Sequence, residues 1–132
     1  MAEKINAIQA YTPRIVMKQK INTDELVAWM TRKSKWKKGM IISLFYLFQD
    51  ALIFYLNNGY YLKMEGIGTF SPTITKEGLL NVGFLPDIEI KDNLNKTGNF
   101  NGKIKNKKMI GKTLKDLVKR WNKEHPDDPI KE

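Results

Sequence analysis

The sequence has 132 residues, which suffice for one domain with a single core of moderate size. It contains no cysteine, which excludes disulfides, thiolate zinc sites and a cysteine nucleophile and favours a reducing compartment. The first twenty residues contain no unbroken apolar stretch typical of a secretory signal, so we expect a cytoplasmic protein. The formal net charge of +9 at pH 7 favours a polyanionic partner, of which phosphate backbones are the commonest.

The positive charge lies towards the two ends of the chain. Residues 21–95 contain eight Lys and Arg and eight Asp and Glu, so the middle of the sequence is neutral. Residues 1–20 carry four basic side chains against one acid, and residues 96–132 carry eleven against five. We therefore expect the flanks to dominate the electrostatics of the protein.

The N-terminal segment is predicted to be irregular at first and then extended. Residues 1–10 show no strong period, which is typical of a frayed or loosely helical start. Pro13 excludes a helix interior, and the partly alternating residues 11–20 predict an edge strand with Lys18 and Lys20 pointing outward. The chain up to residue 22 is therefore interpreted as an N-terminal extension.

Two helices are predicted next. Asn22 or Thr23 is a suitable N-cap for a short helix that ends near Arg32, before a lysine-rich connector. Residues 40–56 are almost entirely apolar and predict a long helix that Gly59 terminates. A helix that is apolar on every side must be buried on every side, which an intertwined dimer achieves more easily than a small monomer.

The alternative for the long helix is a membrane span, because it follows a lysine-rich flank. Its apolar stretch is at the low edge of the ~20 residues that a span needs. Gln49 and Asp50 would also lie near the middle of the bilayer. We therefore favour the dimer core and expect no membrane partner.

The middle of the chain then predicts three strands and a short helix. Residues 60–64 and 69–75 form a candidate hairpin around a glycine-containing turn, and residues 80–85 form a third strand. Pro86 marks the start of a helix that runs to about Asn95.

The tail is predicted to end in an amphipathic helix. Residues 95–108 are rich in Asn, Gly and Lys and predict a loop or weak hairpin. Thr113 and Asp116 then form a variant capping box for a last helix with an apolar face around Trp121. We expect residues 96–132, a basic loop and this helix, to pack on the same domain as the preceding elements.

The succession of elements from Thr23 to Leu94 contains Gly66-Ile67-Gly68-Thr69-Phe70 shortly after the long helix. This order and this pentapeptide resemble the HU/integration-host-factor family of bacterial histone-like DNA-binding proteins. The lead-in Pro13-Arg14-Ile15-Val16 looks more specifically like the Bacteroides-type HU-like proteins with an N-terminal extension.

The resemblance implies an α+β fold with two N-terminal helices, a three-stranded antiparallel sheet and an intertwined homodimer. In this sequence the arm of the sheet is short, and an extra C-terminal helix follows. The resemblance also implies arms that reach along the minor groove of bent double-stranded DNA. Here the arm between Phe70 and Phe84 is short and lacks the family's Arg-Asn-Pro tip, which argues against strong kinking. The family's Pro-Gly-Lys start of the next helix is Pro86-Asp87-Ile88 in this sequence, so a phosphate-binding lysine is missing.

Candidate DNA contacts form three groups of basic and hydroxyl side chains, which can bind phosphates without any base recognition. The alternative is a solvated basic surface that keeps an apolar dimer soluble. The groups are the N-terminal segment (Arg14, Lys18, Lys20), the hairpin (Lys63, Thr73, Thr75, Lys76) and the tail (Lys103, Lys105, Lys107, Lys108, Lys112).

The sequence contains no catalytic or metal-binding pattern, so we expect neither enzyme activity nor a cofactor. The lone His125 has no partner residues in the sequence for a metal site, and Asp50 is explained by a dimer-facing or edge position. Trp29, Trp36 and Trp121 are candidates for stacking on single-stranded bases, but core or interface anchors are the simpler interpretation.

The sequence thus predicts non-catalytic, nucleoid-associated binding of double-stranded DNA with low sequence specificity, by a homodimer whose HU-like domain spans residues 23–95. The rival hypothesis is an HU-like fold that has lost DNA binding and serves as a structural or protein-interaction module. In that case the tail helix, with Leu117 and Trp121, would be the partner surface.

Overall fold

The structure, a computed structural model, describes residues 1–131 and has a mixed α+β fold. It divides into two compact units, which we call the central unit (residues 20–100) and the terminal unit (residues 1–19 and 101–131). The elements in chain order are α1 (Lys4–Tyr11), β1 (Arg14–Val16), α2 (Thr23–Lys33), α3 (Lys38–Asn57), β2 (Leu62–Met64), β3 (Gly68–Ile74), β4 (Leu80–Pro86), α4 (Ile88–Asn95), β5 (Lys103–Lys105), a 3-10 turn (Lys107–Met109) and α5 (Leu114–Glu124).

The helices of the central unit begin and end where local chemistry favours it. The side chain of Asn22 accepts a hydrogen bond from the backbone nitrogen of Glu25 at 3.0 Å and so caps α2. Acids in the first turn of α2 and Arg32 and Lys33 in its last turn complement the helix dipole. Val27 of α2 and Ile41 of α3 are the buried hydrophobic side chains of the described central unit.

The sheet of the central unit is antiparallel, in the order β2-β3-β4. Phe70 of β3 lies between its opposite residue Phe84 on β4, at 4.8 Å between ring centroids, and Phe48 of α3, at 5.8 Å. These aromatic contacts hold the sheet against α3. Strands β3 and β4 continue as a hairpin to a turn between Thr75 and Leu79.

The terminal unit joins the two ends of the chain. Helix α1 packs on α5 around Ala7, Tyr11, Leu117 and Val118. The backbone nitrogen of Ala2 donates to Asp128 Oδ1 at 2.8 Å. The two ends are also joined by a two-stranded antiparallel sheet of β1 and β5.

Most of the predicted elements are confirmed, including α2, α3, the three central strands, α4, and α5 with the capping box of Thr113 and Asp116. The N-terminal residues, predicted to be frayed or loosely helical, contain the helix α1. Residues 95–108, predicted as a loop or weak hairpin, contain β5, which pairs with the distant β1. The tail, which we expect on the HU-like domain, packs here against residues 1–19, because α1 covers the apolar face of α5.

Helix α3 is not covered by the rest of the described chain. Ile41 is its one buried residue, and the side chains of Tyr46, Leu47 and Phe54 are 61–66% exposed. Among the described residues α3 is also the one helix long and apolar enough to cross a membrane, by length and composition only. The burial that the sequence predicts for this helix is therefore not present within the described chain.

Candidate nucleic-acid interface

The two units differ strongly in charge. The described residues of the terminal unit contain thirteen Lys and Arg against five Asp and Glu, whereas the central unit contains ten against eight. Most of the net positive charge therefore lies in the unit that the two chain ends form. This unit has the charge expected of a surface that contacts a polyanion.

The sheet of β1 and β5 places three basic side chains on one face, which we call the cationic ribbon (Arg14, Lys103 and Lys105). Arg14 lies directly opposite Lys105, and Val16 lies opposite Lys103, whereas the Ile15–Ile104 pair points to the other face. Like charges directly opposite each other destabilise a strand pair. An anion bound on this face would relieve that repulsion.

The basic residues after β5 are also exposed and follow a defined turn. Asn106 adopts a left-handed conformation with φ 60°, and its side-chain nitrogen donates to the carbonyl oxygens of Ala10 at 2.8 Å and Thr12 at 3.2 Å. These bonds fix the start of the 3-10 turn that carries Lys107 and Lys108. Lys112 follows, next to the N-cap of α5, and is exposed as well.

The hairpin candidates lie in the central unit. Lys63 is exposed on β2, and Thr73 is exposed on β3 opposite Asn81. Thr75 Oγ1 accepts a hydrogen bond from the backbone nitrogen of Leu79 at 3.0 Å, so this hydroxyl supports the turn. Lys76 is exposed within that turn.

The structure therefore brings together residues of two of the three predicted groups, the N-terminal segment and the tail. Arg14 of the N-terminal segment joins Lys103 and Lys105 of the tail in the cationic ribbon. Lys18 and Lys20 are exposed in the segment after β1, on either side of the division between the units. The hairpin residues belong to the other unit and form a separate group.

Sequence reasoning missed a second basic feature, on α5. A groove of about 430 Å³, the α5 groove, is lined by Lys112, Lys119, Arg120 and Lys123 together with Met109, Asp116 and Glu124. The signal was present in the sequence, because residues spaced by three, four and seven positions share one face of a helix. The basic residues of this helix are visible in the sequence as its polar face, but Lys119, Arg120 and Lys123 were not selected as candidate contacts.

Two acids of the α5 groove are held in hydrogen bonds within the protein. Asp116 Oδ2 accepts from Thr113, and the backbone and side-chain bonds from this residue hold the pKa of Asp116 below its usual range. Glu124 accepts from the Tyr11 hydroxyl and from Arg120 Nε, which lowers the pKa of Glu124. Burial, and then the bond to Glu124, raises the pKa of Tyr11 to about 12.

The three tryptophans have different surroundings. Trp121 packs edge-on against Tyr11, stacks on His125 at 3.8 Å between ring centroids, and donates from Nε1 to the Asp128 carbonyl oxygen at 2.8 Å. It is a core anchor of the terminal unit, as predicted. Trp29 and Trp36 are 53% and 51% exposed within the chain, so an anchoring role for them stays a prediction.

The rival hypothesis needs a free apolar face on the tail helix. Leu117 is 8% exposed and belongs to the core cluster of the terminal unit, against which Trp121 packs. The partner surface that the sequence suggested is therefore covered by residues of the same chain. Among residues 1–131 there is also no group of three His, Cys, Asp or Glu side chains that could hold a metal ion.

Comparison with known proteins adds one finding. The family model HU-HIG, described as "HU domain fused to wHTH, Ig, or Glycine-rich motif", matches residues 2–102. No curated protein matches the sequence. The match covers most of the chain, including the helices α1 to α4, the three-stranded sheet and the Gly66–Phe70 pentapeptide. The chain therefore belongs to the HU-HIG family of HU-domain proteins.

Proposed function

We propose that this protein binds double-stranded DNA as a non-catalytic, HU-like, nucleoid-associated protein of the cytoplasm. The observation that carries the proposal is the family match over residues 2–102, since HU domains are DNA-binding modules. The surplus of basic side chains on the terminal unit supports it. The closer similarity to the Bacteroides-type proteins, based on the segment around Pro13, is part of the same proposal.

The contacts we propose are made to phosphates and so carry little sequence preference. The cationic ribbon is the best-supported contact because strand register puts its basic residues on one face. Thr75 is the weakest, because its hydroxyl is engaged in the hairpin turn. The full set is Arg14, Lys18, Lys20, Lys63, Thr73, Thr75, Lys76, Lys103, Lys105, Lys107, Lys108 and Lys112.

We further propose that the protein works as a homodimer built on the central unit. The chain exposes 11487 Å². Two separate compact units of these sizes would expose about 8,600 Å² together, so each chain exposes an excess of about 2,900 Å². Two chains together would expose an excess of about 5,800 Å², which is at the upper end of the surface that obligate dimers bury. The side chains of α3, together with Leu80 and Leu85 of β4 at 73% and 68% exposure, are the surface that a second copy would cover.

The hairpin supports binding without strong kinking of the DNA. Strands β3 and β4 have seven residues each, and the turn that joins them contains Lys76 but no proline. A short arm reaches less of the minor groove, and the wedge that unstacks a base step in kinking proteins is not present in its usual form.

The experiment is a titration of the purified protein against a labelled duplex of about 30 base pairs at several salt concentrations. We expect the logarithm of the binding constant to fall linearly with the logarithm of salt, with a slope of several units. The same protein with Arg14→Gln and Lys105→Gln should show a smaller slope. Absence of binding at low salt would contradict the proposal.

The second candidate function is a structural or protein-interaction module. One observation favours it: the N-terminus of α4 carries Asp87, whose side chain caps the helix by accepting from the backbone nitrogen of Glu89 at 2.9 Å. Acids at this position would repel a phosphate that the helix N-terminus otherwise attracts. The titration separates the two functions, because the module would not bind the duplex at any salt concentration.

A further inference from the structure

The α5 groove contains three lysines that make no ion pair within 4.0 Å in the described chain. Lys112, Lys119 and Lys123 are exposed. Within residues 1–131 the ion pairs within 4.0 Å are Lys38–Asp24 and Arg120–Glu124, so none involves these three lysines. Their ammonium groups are therefore free to bind an anion that enters the groove.

The other charged residues of the groove are already engaged. Asp116 belongs to the capping box with Thr113. Glu124 accepts from Tyr11, and Arg120 both donates to Glu124 at 3.2 Å and lies over the Tyr11 ring at 4.6 Å. These bonds engage both carboxylates that line the groove. Asp116 also attracts Lys112 and Lys119, but the lining keeps four basic side chains against two acidic ones.

The spacing of the lysines suits a linear polyanion better than a single ion. Lys119 and Lys123 are one helical turn apart, about 6 Å along the axis, and Lys112, which precedes the N-cap of α5, also lines the groove. Like charges at this spacing destabilise an isolated helix. A row of phosphates along the groove would reverse that cost.

We propose that the α5 groove is a phosphate-backbone binding site for nucleic acid, additional to the cationic ribbon and the hairpin. The proposal rests on the proposed function, because it assumes that the protein binds DNA. The groove lies beyond residue 102, where the family match ends, so it is a property of this chain's own tail. Lys119 and Lys123 are the new contact residues. Lys112 lines the groove too, but it is already one of the contacts predicted in the tail. Arg120 positions Glu124 and Tyr11.

The test compares two triple variants of the full-length protein. The groove variant carries Lys112→Gln, Lys119→Gln and Lys123→Gln. The matched control carries Lys4→Gln, Lys115→Gln and Lys131→Gln, which removes the same charge from the same unit but leaves the groove lining intact. Glutamine keeps a polar side chain while it removes the charge, and circular dichroism checks that both variants are folded.

Binding to a labelled duplex is measured for the wild type and both variants between about 50 and 200 mM salt. Removing one phosphate-binding lysine should lower the salt slope by about 0.9, so we expect a fall of about 2 to 3 for the groove variant and of less than about 1 for the control. A wild type that binds the duplex, with equal slopes for the two variants, overturns the groove proposal alone. A wild type that binds no duplex overturns the proposed function and the groove with it.

A second measurement needs no variant. Lysine acetylation of the wild-type protein is followed by mass spectrometry with and without saturating duplex. We expect the duplex to slow acetylation of Lys119 and Lys123 at least several-fold more than that of Lys4 and Lys115. Equal protection contradicts the groove site. Protection by vesicles of anionic phospholipid, without protection by the duplex, would overturn it in favour of a membrane surface.

Discussion

Gly68, in the pentapeptide that carries the family resemblance, is required by the close approach of β3 and β4. Its φ is 156°, and a Cβ built there would meet the Leu85 carbonyl oxygen and lie 2.6 Å from Phe84 Cε1. We expect Gly68→Ala to lower the free energy of unfolding by about 1–3 kcal/mol, measured by urea denaturation. The control is Gly39→Ala, where no atom lies within 4 Å and stability should be equal or higher. Equal stability of the Gly68 variant and the wild type would contradict this explanation of the motif.

Tyr11 makes the stability of the terminal unit sensitive to alkali. Its pKa is raised to about 12 in the folded protein, against an ordinary value of 10.0. The unfolded chain therefore loses this proton first, and the stability that the neutral phenol contributes is complete below about pH 10 and lost as pH rises towards 12. We expect Tyr11→Phe to lose less stability than the wild type across this window, measured by urea denaturation at fixed pH.

The control for this prediction is Tyr61→Phe, because Tyr61 is 75% exposed in the other unit. The Tyr61→Phe protein should lose as much stability at alkaline pH as the wild type does. The phenolate absorbance gives a second readout: the component that titrates near pH 12 should be missing from Tyr11→Phe and present in Tyr61→Phe. A wild type and a Tyr11 variant with the same alkaline decline would refute the role of this residue.

At the level of elements, we expect the like charges of the cationic ribbon to lower the stability of the terminal unit and to favour the binding of DNA. Lys105→Glu replaces the like-charged pair with Arg14 by an opposite-charged pair, so we expect the terminal unit to gain about 0.5 kcal/mol. The same change should weaken duplex binding. Lys103→Glu, opposite Val16, removes the same charge without a partner and should give no gain in stability. Thermal unfolding measures the change in stability, and the duplex titration measures the change in binding. A Lys105→Glu protein that is less stable than the wild type would contradict the repulsion proposed for the cationic ribbon.

Elements were predictable where their signals are local. The Asn22 cap, the acids after it and the glycine after α3 lie within a few residues of the helix ends that they determine. The strand β5 was missed because it has only three residues and its partner lies about ninety residues earlier. The alternation of Lys103, Ile104 and Lys105 was the one local hint, and three residues are too few to distinguish a strand from a loop.

The candidate site was likewise predictable where it depends on local sequence and not where it depends on contacts between distant residues. Counting charges along the chain showed that the ends are basic, but only the pairing of β1 with β5 puts Arg14 beside Lys105. The hydrogen bond that engages Glu124 comes from Tyr11 and depends on the packing of α1 against α5, whereas Asp116 is engaged by the local capping box that the sequence predicts. Contacts between residues so far apart in the chain leave no pattern in a single sequence.

For the molecule as a whole, the exposed apolar face of the central unit predicts a dimer whose stability depends on concentration. We expect sedimentation equilibrium to give twice the mass of the 15.3 kDa chain, and the melting temperature to rise with protein concentration. Leu47→Asp, at a position 63% exposed on α3, should shift the protein towards monomer and lower its melting temperature by many degrees, because the charge would be buried without a partner.

Met17→Asp is the matched control, since Met17 is 82% exposed but lies in the terminal unit, and it should change neither mass nor melting temperature. A wild type that sediments as a monomer and melts at the same temperature over a hundredfold range of concentration would refute the dimer. If the protein stays in the membrane fraction until detergent is added, α3 would instead be a membrane-spanning helix. Dimer mass in the wild type together with monomer mass in Leu47→Asp identifies α3 as the interface, because the two variants add the same charge and differ only in where it is placed.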